Sequence, residues 1–220
     1  WDIAYALTEG RETINPRPRQ EVIIFNQMGE DVIGFLTYSE GCNDDVNKFI
    51  WSGLGWDPQT DVVEILRQYS RFFIGAPQAH DFALGLLALE QNWVGPLATN
   101  TGVNTTLQQF QALEQAASPA LRQNWRFQMT LYRAYYDAYT RSRLLYETGL
   151  EEQALDRLRQ AQQLGSRRAL DQAETILDQA LSQPIAGHWR TRIFQLAEAL
   201  FQSIHMQLSV PLYAAQSETR

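Results

Sequence analysis

Only two segments of this chain have the pattern of β-strands, and both lie in its first 41 residues. Trp1–Leu7 is a short apolar run, and Val32–Tyr38 is an apolar run that fits a buried parallel strand. A helix predicted over Arg19–Met28 separates them, which gives the strand–helix–strand order of α/β proteins. Two strands cannot form a stable parallel sheet by themselves.

Residues 1–57 therefore have two possible arrangements. They complete a sheet supplied by an N-terminal remainder of the same protein, or they pack on the following helices as a small subdomain. We favour the first arrangement. It predicts that the apolar side chains of 32–36 are exposed in this chain alone, because their sheet partners are missing.

After residue 41, apolar residues recur at helical spacing and no further strand is predicted. The predicted helices cover 44–54, 61–74, 79–93, 105–117, 119–147, 150–164, 167–182 and 188–208. The predicted core contains Phe82, Leu86, Leu89, Trp93, Leu131, Tyr135, Phe194, Leu200 and Phe201. The fold class is therefore mainly α, with terminal βα units over 1–57 and an all-helical bundle domain over 58–220.

Charge and composition exclude several classes of function. The chain of 220 residues has 18 basic and 25 acidic side chains and a net charge of −7, which argues against binding nucleic acid. No run of 18 apolar residues indicates a membrane span. The one cysteine and three widely spaced histidines lack metal-ligand spacing, and no nucleotide-binding motif is present. We predict no metal and no cofactor.

The densest polar cluster, Tyr38–Lys48, follows the second predicted strand. In parallel α/β proteins, loops at this strand end carry the active site, so Glu40 is the best candidate for a catalytic acid/base or nucleophile. Lys48 is the only lysine beside 17 arginines, and it stands four residues after Asp44, so the two side chains can pair across one helical turn. The alternative interpretation is structural, because Asn43 and the acids after it also make a good helix N-cap.

A second polar cluster follows the first predicted strand. If the two strands are neighbours, Glu12 and Glu40 come close together. Two facing carboxylates are what glycoside hydrolysis requires. Arg11 or Arg17 could keep one of them ionised or orient a substrate group. The alternative is a surface loop of ion pairs.

Aromatic residues beside the acidic helix complete the predicted site. Trp51 and Trp56 offer flat apolar faces that suit sugar rings. The tyrosines after Pro119 are better explained as a bundle core. The predicted substrate-binding residues are Arg11, Asn15, Asn43, Asp44, Asn47, Lys48, Trp51 and Trp56.

A family resemblance rests on three segments: GRETINPRP (10–18), GFLTYSEGCNDDVNKFIWSGLGWDP (34–58) with its continuation to 75, and NWRFQMTLYRAYYDAY (124–139). Together they resemble the C-terminal part of an uncharacterised family of bacterial glycoside-hydrolase-like proteins, similar to the α-glucuronidase and hexosaminidase type of TIM-barrel enzyme. The resemblance implies that 1–57 are the last βα units of a (β/α)₈ barrel and that the helices form a C-terminal domain. It identifies no catalytic pair.

The sequence thus predicts the C-terminal portion of a glycoside hydrolase that acts by carboxylate acid/base chemistry. Its partners would be a carbohydrate substrate and the N-terminal remainder of the same protein. A secreted or periplasmic location would follow if the full chain carries a signal peptide. The alternative is a non-catalytic helical interaction or structural module of a larger bacterial protein.

Overall fold

The computed structural model describes residues 13–28, 32–38 and 43–208. These ranges contain eight long helices: α1 (Pro18–Met28), α2 (Asp45–Trp56), α3 (Val62–Phe73), α4 (Ala79–Gln91), α5 (Gly102–Ala116), α6 (Trp125–Arg159), α7 (Ser166–Leu177) and α8 (Gly187–Ile204). Single helical turns occur at Ala76–Gln78, Leu97–Thr99, Pro119–Arg122, Ala161–Leu164 and Gln179–Ser182. The prediction of a mainly α chain is confirmed.

The predicted strand over Val32–Tyr38 is wrong, and no strand or βα unit occurs in the described ranges. A strand needs a hydrogen-bonded neighbour, and the described residues supply none. All seven residues are exposed, with Ile33 at 112% and Leu36 at 94%. The predicted exposure of these apolar side chains is therefore confirmed. The other predicted strand, Trp1–Leu7, lies outside the described residues.

The helix boundaries follow local capping. Asp61 caps α3 by accepting a hydrogen bond from the backbone N–H of Val63 at 2.8 Å, as its position before the apolar run predicts. Asn124 caps α6 in the same way. The predicted break near residue 148 is wrong: α6 continues for 35 residues, because a helix tolerates Gly149 at a modest cost.

One apolar core lies around α4, which packs against α3 and α5. The N-terminal half of α6 and helix α8 close it. Ile14 and the apolar face of α2 belong to the same core, so the first described residues are integral to the helical body. Its largest fully buried side chains include Tyr69, Phe82, Phe110 and Phe127.

Three of the predicted core residues are not buried. Trp93 is 68% exposed, because α4 ends at Gln91 and the chain leaves the helical register before it reaches the indole. Phe194 and Phe201 are only half-buried. Beyond the core, residues 142–182 form a helical extension in which α6 packs on α7.

Candidate functional site

A small polar pocket lies between α1, α2 and the extended segment 36–38. Its volume is about 260 Å³. The residues around it are Arg17, Glu21, Leu36, Thr37, Tyr38, Asp44, Asn47, Lys48 and Trp51. We call it the small pocket. Four predicted substrate-binding residues, Asp44, Asn47, Lys48 and Trp51, therefore line a single cavity.

Helical geometry explains this grouping. Asp44, Asn47, Lys48 and Trp51 are spaced i, i+3, i+4 and i+7, so they share one face at the start of α2. Trp56 lies about 120° around the helix from Asp44 at about 100° per residue, at the far end of α2. Its side chain is 92% exposed and does not line the small pocket. Trp51 therefore lines the small pocket and Trp56 does not, and substrate binding by Trp56 stays a prediction.

Asp44, which lines the small pocket, has one buried side-chain oxygen that makes no hydrogen bond to a described residue. Its side chain makes no capping hydrogen bond to α2. The Nζ atom of Lys48 lies 3.9 Å from Asp44 Oδ1, which is too long for a hydrogen bond. Within the described part of the chain, that buried oxygen has no hydrogen-bond partner. A buried acceptor left in this state is costly, so a ligand hydroxyl that donated to it would be favoured.

Both polar atoms of the Asn47 side chain bond to backbone groups. Its side-chain oxygen accepts from the N–H of Arg17, and its amide donates to the carbonyl of Asn15, both at 2.9 Å. The N–H of Asn15 in turn donates to the carbonyl of Asn43 at 2.9 Å. The three predicted asparagines thus fix the chain before α1 against the start of α2, which is a positioning role.

Trp51 forms a rigid wall of the small pocket. Its indole N–H donates to Glu21 Oε2 at 2.7 Å. Its ring packs edge-on against Phe25 and Phe35, with centroids 5.4 and 5.2 Å away. Glu21 is buried and also pairs with Arg17 at 3.2 Å. Sequence reasoning missed Glu21, because its contact with Trp51 joins residues 30 positions apart.

The neighbouring acid, Asp45, points away from the small pocket. It accepts hydrogen bonds from Arg126 Nε at 2.6 Å and from the Tyr69 hydroxyl at 2.9 Å. Burial, together with the adjacent Asp45 carboxylate, raises the pKa of Tyr69 above its usual range. The guanidinium of Arg126 lies 3.9 Å from the ring centroid of Phe73. This cluster joins α2, α3 and α6 and is structural.

The catalytic candidates Glu40 and Glu12, and the predicted binding residue Arg11, lie outside the described residues. The described segment that leads toward Glu40 ends at Tyr38, which lines the small pocket. The catalytic roles of Glu40 and Glu12 therefore stay predictions.

A larger cavity of about 810 Å³ lies on the other side of the first turn of α1. The first turn of α1, the end of α4 and the first half of α6 surround it. Asn15 and Arg17 belong to its wall, and Arg17 also lines the small pocket, so the two cavities adjoin. We call it the large cavity.

Glu90 fixes one wall of the large cavity. Its carboxylate accepts from the backbone N–H groups of Arg19 and Gln20 at 3.1 and 3.0 Å. These donors are unpaired within the first turn of α1, so a carboxylate from α4 both caps the helix and complements its dipole. The signal is absent from the local sequence, since the contact spans about 70 residues.

A buried polar network supports the opposite wall. Arg133 donates to Asp137 Oδ1 at 2.8 Å and to the carbonyl of Ile14 at 3.0 Å. Asn92 donates to the second oxygen of Asp137 at 2.8 Å. Burial raises the pKa of Asp137 above its usual range, and the charge of Arg133 opposes that shift. The guanidinium of Arg133 lies 4.3 Å from the ring centroid of Trp93.

Tyr132 and Tyr136 stand one turn apart on α6 at the large cavity. Their rings are nearly parallel, with an interplanar angle of 11° and centroids 5.9 Å apart. Burial raises the pKa of Tyr132 to about 12, and Tyr136 adds to the shift. Tyr136 is 46% exposed, so its ring reaches solvent at the cavity.

Across the described ranges, no three His, Cys, Asp or Glu side chains are grouped so that they could hold a metal ion. No helix in the same ranges is long and apolar enough to cross a bilayer. The chain matches no protein-family model, and neither a curated protein nor a solved structure is significantly similar to it. The chemistry of the two cavities is therefore the basis for a functional proposal.

Proposed function

We propose that this chain is the C-terminal portion of a glycoside hydrolase and that the small pocket binds a sugar unit of its substrate. The proposal rests mainly on Asp44, which lines the small pocket with Lys48 and Trp51 and has a buried oxygen that makes no hydrogen bond to a described residue. A sugar hydroxyl can donate to Asp44 and accept from Lys48, while a ring face lies against Trp51.

In this proposal Glu40 is the acid/base or nucleophile, and Glu12 is the second carboxylate. The support is positional. Tyr38 is in the pocket wall, and Glu40 follows it by two residues in the sequence. Two carboxylates on either side of a glycosidic bond supply the acid and the base or nucleophile.

The proposed partner for the extended segment 32–38 is the remainder of a (β/α)₈ barrel. Ile33 and Leu36 are almost fully exposed on an extended segment, which is the state of a strand whose neighbours are elsewhere. Pairing with the barrel would satisfy the segment's backbone and cover these side chains. Helix α2 shares one apolar core with the later helices, so it would belong with them to the C-terminal domain.

One observation favours the alternative, a helical interaction module. The helical extension exposes a set of leucines, with Leu181 at 85%, Leu170 at 59% and Leu177 at 47%. Exposed apolar residues on one element often mark a contact surface. A module of this kind would bind a partner without hydrolysing a sugar.

The deciding experiment is hydrolysis of aryl glycosides and oligosaccharides by the full-length protein and its Glu40→Gln variant. The variant should lower kcat about 10²- to 10⁴-fold, since the amide cannot transfer a proton. Glu64→Gln is the matched control, because Glu64 is an exposed, ion-paired glutamate on α3. Full activity of Glu40→Gln would end the catalytic assignment, and absence of hydrolysis by the parent would favour the module.

A further inference from the structure

Two aromatic side chains, Trp93 and Tyr136, line the large cavity, and each packs against a buried side chain. The guanidinium of Arg133 lies 4.3 Å from the ring centroid of Trp93, and Tyr132 is stacked parallel to Tyr136. Both front rings stay open to solvent, with Trp93 at 68% and Tyr136 at 46% exposure. Because their supports are buried, the rings are held in place before any ligand arrives.

Polar donors stand beside these rings. Gln20 and Gln91 lie in the wall with exposed side chains. Arg19, also in the wall, makes no ion pair with any residue of the described ranges. Flat apolar faces next to amide and guanidinium donors match a sugar ring, which has apolar C–H faces and a rim of hydroxyls.

The charges at the large cavity are nearly balanced. Arg17 pairs with Glu21, and Arg133 pairs with Asp137. The carboxylate of Glu90 caps α1 at the N–H groups of Arg19 and Gln20. A neutral, hydroxyl-rich ligand therefore finds donors here and little net charge.

We propose that the large cavity binds further sugar units of the same substrate, so that the chain recognises an oligosaccharide extending past Arg17 from one cavity into the other. This rests on the proposed function for the sugar in the small pocket. The shared wall at Arg17 provides the continuity, and the volume of about 810 Å³ provides the space. Trp93 and Tyr136 are the binding platform, and Gln20, Gln91 and Arg19 supply donors to hydroxyls.

The test is calorimetric titration of the 220-residue chain with sugars of increasing length. The probes are xylose, glucose and N-acetylglucosamine, and the β-1,4-linked di-, tri- and tetrasaccharides of each. We expect at least one series in which affinity rises about tenfold or more from the monosaccharide to the longer members. Trp93→Ala and Tyr136→Ala should each weaken the longer sugars about 2- to 12-fold and leave the monosaccharide unchanged.

Two controls separate this inference from the function on which it rests. Phe72→Ala removes an exposed ring on α3 that lines neither cavity, and it should change no affinity. Asp44→Asn acts in the small pocket and should weaken sugars of every length. Trp93→Phe keeps a ring and should recover part of the loss seen with Trp93→Ala.

Each outcome decides one of the two proposals. Suppose that Asp44→Asn weakens binding. If sugars of all lengths then bind equally well, or if Trp93→Ala and Tyr136→Ala do not change the affinity, the large cavity is not a subsite and the proposed function stands. If binding depends on Trp93 but not on Asp44, a substrate spanning both cavities is refuted. If no sugar of any length binds, the proposed function and this inference both fail.

Discussion

Replacing Gly85 with alanine tests how tightly the core around α4 is packed. A Cβ atom built at Gly85 would lie 2.7 Å from Cζ of Phe110 and 3.1 Å from its Cε2. Ordinary carbon contacts are about 3.5–4.0 Å, so the ring would have to move by nearly 1 Å. Phe110 is fully buried and packs edge-on against Phe82, with centroids 6.1 Å apart, so it has little room to yield.

The magnitude follows from two opposing contributions. Overpacking a well-packed core costs about 1–3 kcal/mol. Alanine is better than glycine inside a helix by about 0.5–1 kcal/mol. Subtracting the gain from the cost, we expect Gly85→Ala to lower the free energy of unfolding by up to about 2.5 kcal/mol.

Gly149→Ala is the matched control for that substitution. Gly149 is also inside a helix, α6, but a Cβ there would meet no atom within 4 Å. This variant should gain about 0.5–1 kcal/mol. Subtracting the two changes in the free energy of unfolding cancels the helix-propensity contribution. What remains is the cost of the steric clash with Phe110, about 1–3 kcal/mol.

The assay is urea unfolding of the three proteins, followed by circular dichroism, with the slope m held in common. At about 2–4 °C per kcal/mol for a chain of this size, thermal melts should separate the variants by several degrees. Equal stability changes for Gly85→Ala and Gly149→Ala would refute the packing argument. It would mean that Phe110 moves aside freely.

Three further predictions concern the walls of the cavities. Asp137→Ala should lower the free energy of unfolding in urea by about 3–5 kcal/mol, because it leaves the buried Arg133 without its carboxylate. Asp156→Ala, at an exposed ion pair on the same helix, should lower it by no more than about 1 kcal/mol, and similar losses for the two variants would contradict the prediction. The pKa of Tyr132 is raised from 10.0 to about 12, so the stability that its neutral hydroxyl contributes is complete below pH 10 and is lost as the pH rises toward 12. Tyr132→Phe should remove this decline, which is worth roughly 3 kcal/mol, from the free energy of unfolding at alkaline pH, and an unchanged pH profile would contradict the prediction. Asn47→Ala should cost about 1–3 kcal/mol and speed amide exchange at residue 17, since it removes both side-chain bonds to the preceding segment; unchanged exchange would show that the segment is held by other contacts.

The helices could be predicted because each carries its own apolar period and caps. Asp61 and the run after it place α3 within a residue of its observed start. The strand failed for a physical reason: Val32–Tyr38 has the composition of a buried strand, but a strand exists only where a neighbour completes its hydrogen bonds. The predicted burial of Trp93 was wrong because the helix that would have directed its side chain into the core ends two residues earlier.

The small pocket was partly predictable for the same local reason. The spacing of Asp44, Lys48 and Trp51 on one helical face can be read directly from the sequence. Glu21 and Glu90 could not be found in this way, because each acts on a segment 30 or more residues away. Contacts at such separations are set by how the helices pack, which no local pattern encodes.

The first turn of α1 is bonded on both of its sides. Glu90 accepts from its N–H groups at the large cavity, while Asn47 and Trp51 bond to Arg17 and Glu21 at the small pocket. A ligand that shifts this turn from one side therefore changes the geometry on the other. If a ligand in one cavity changes the affinity of the second cavity by some factor, a ligand in the second must change the affinity of the first by the same factor. A ligand that moves this single turn of helix would thus couple the two cavities.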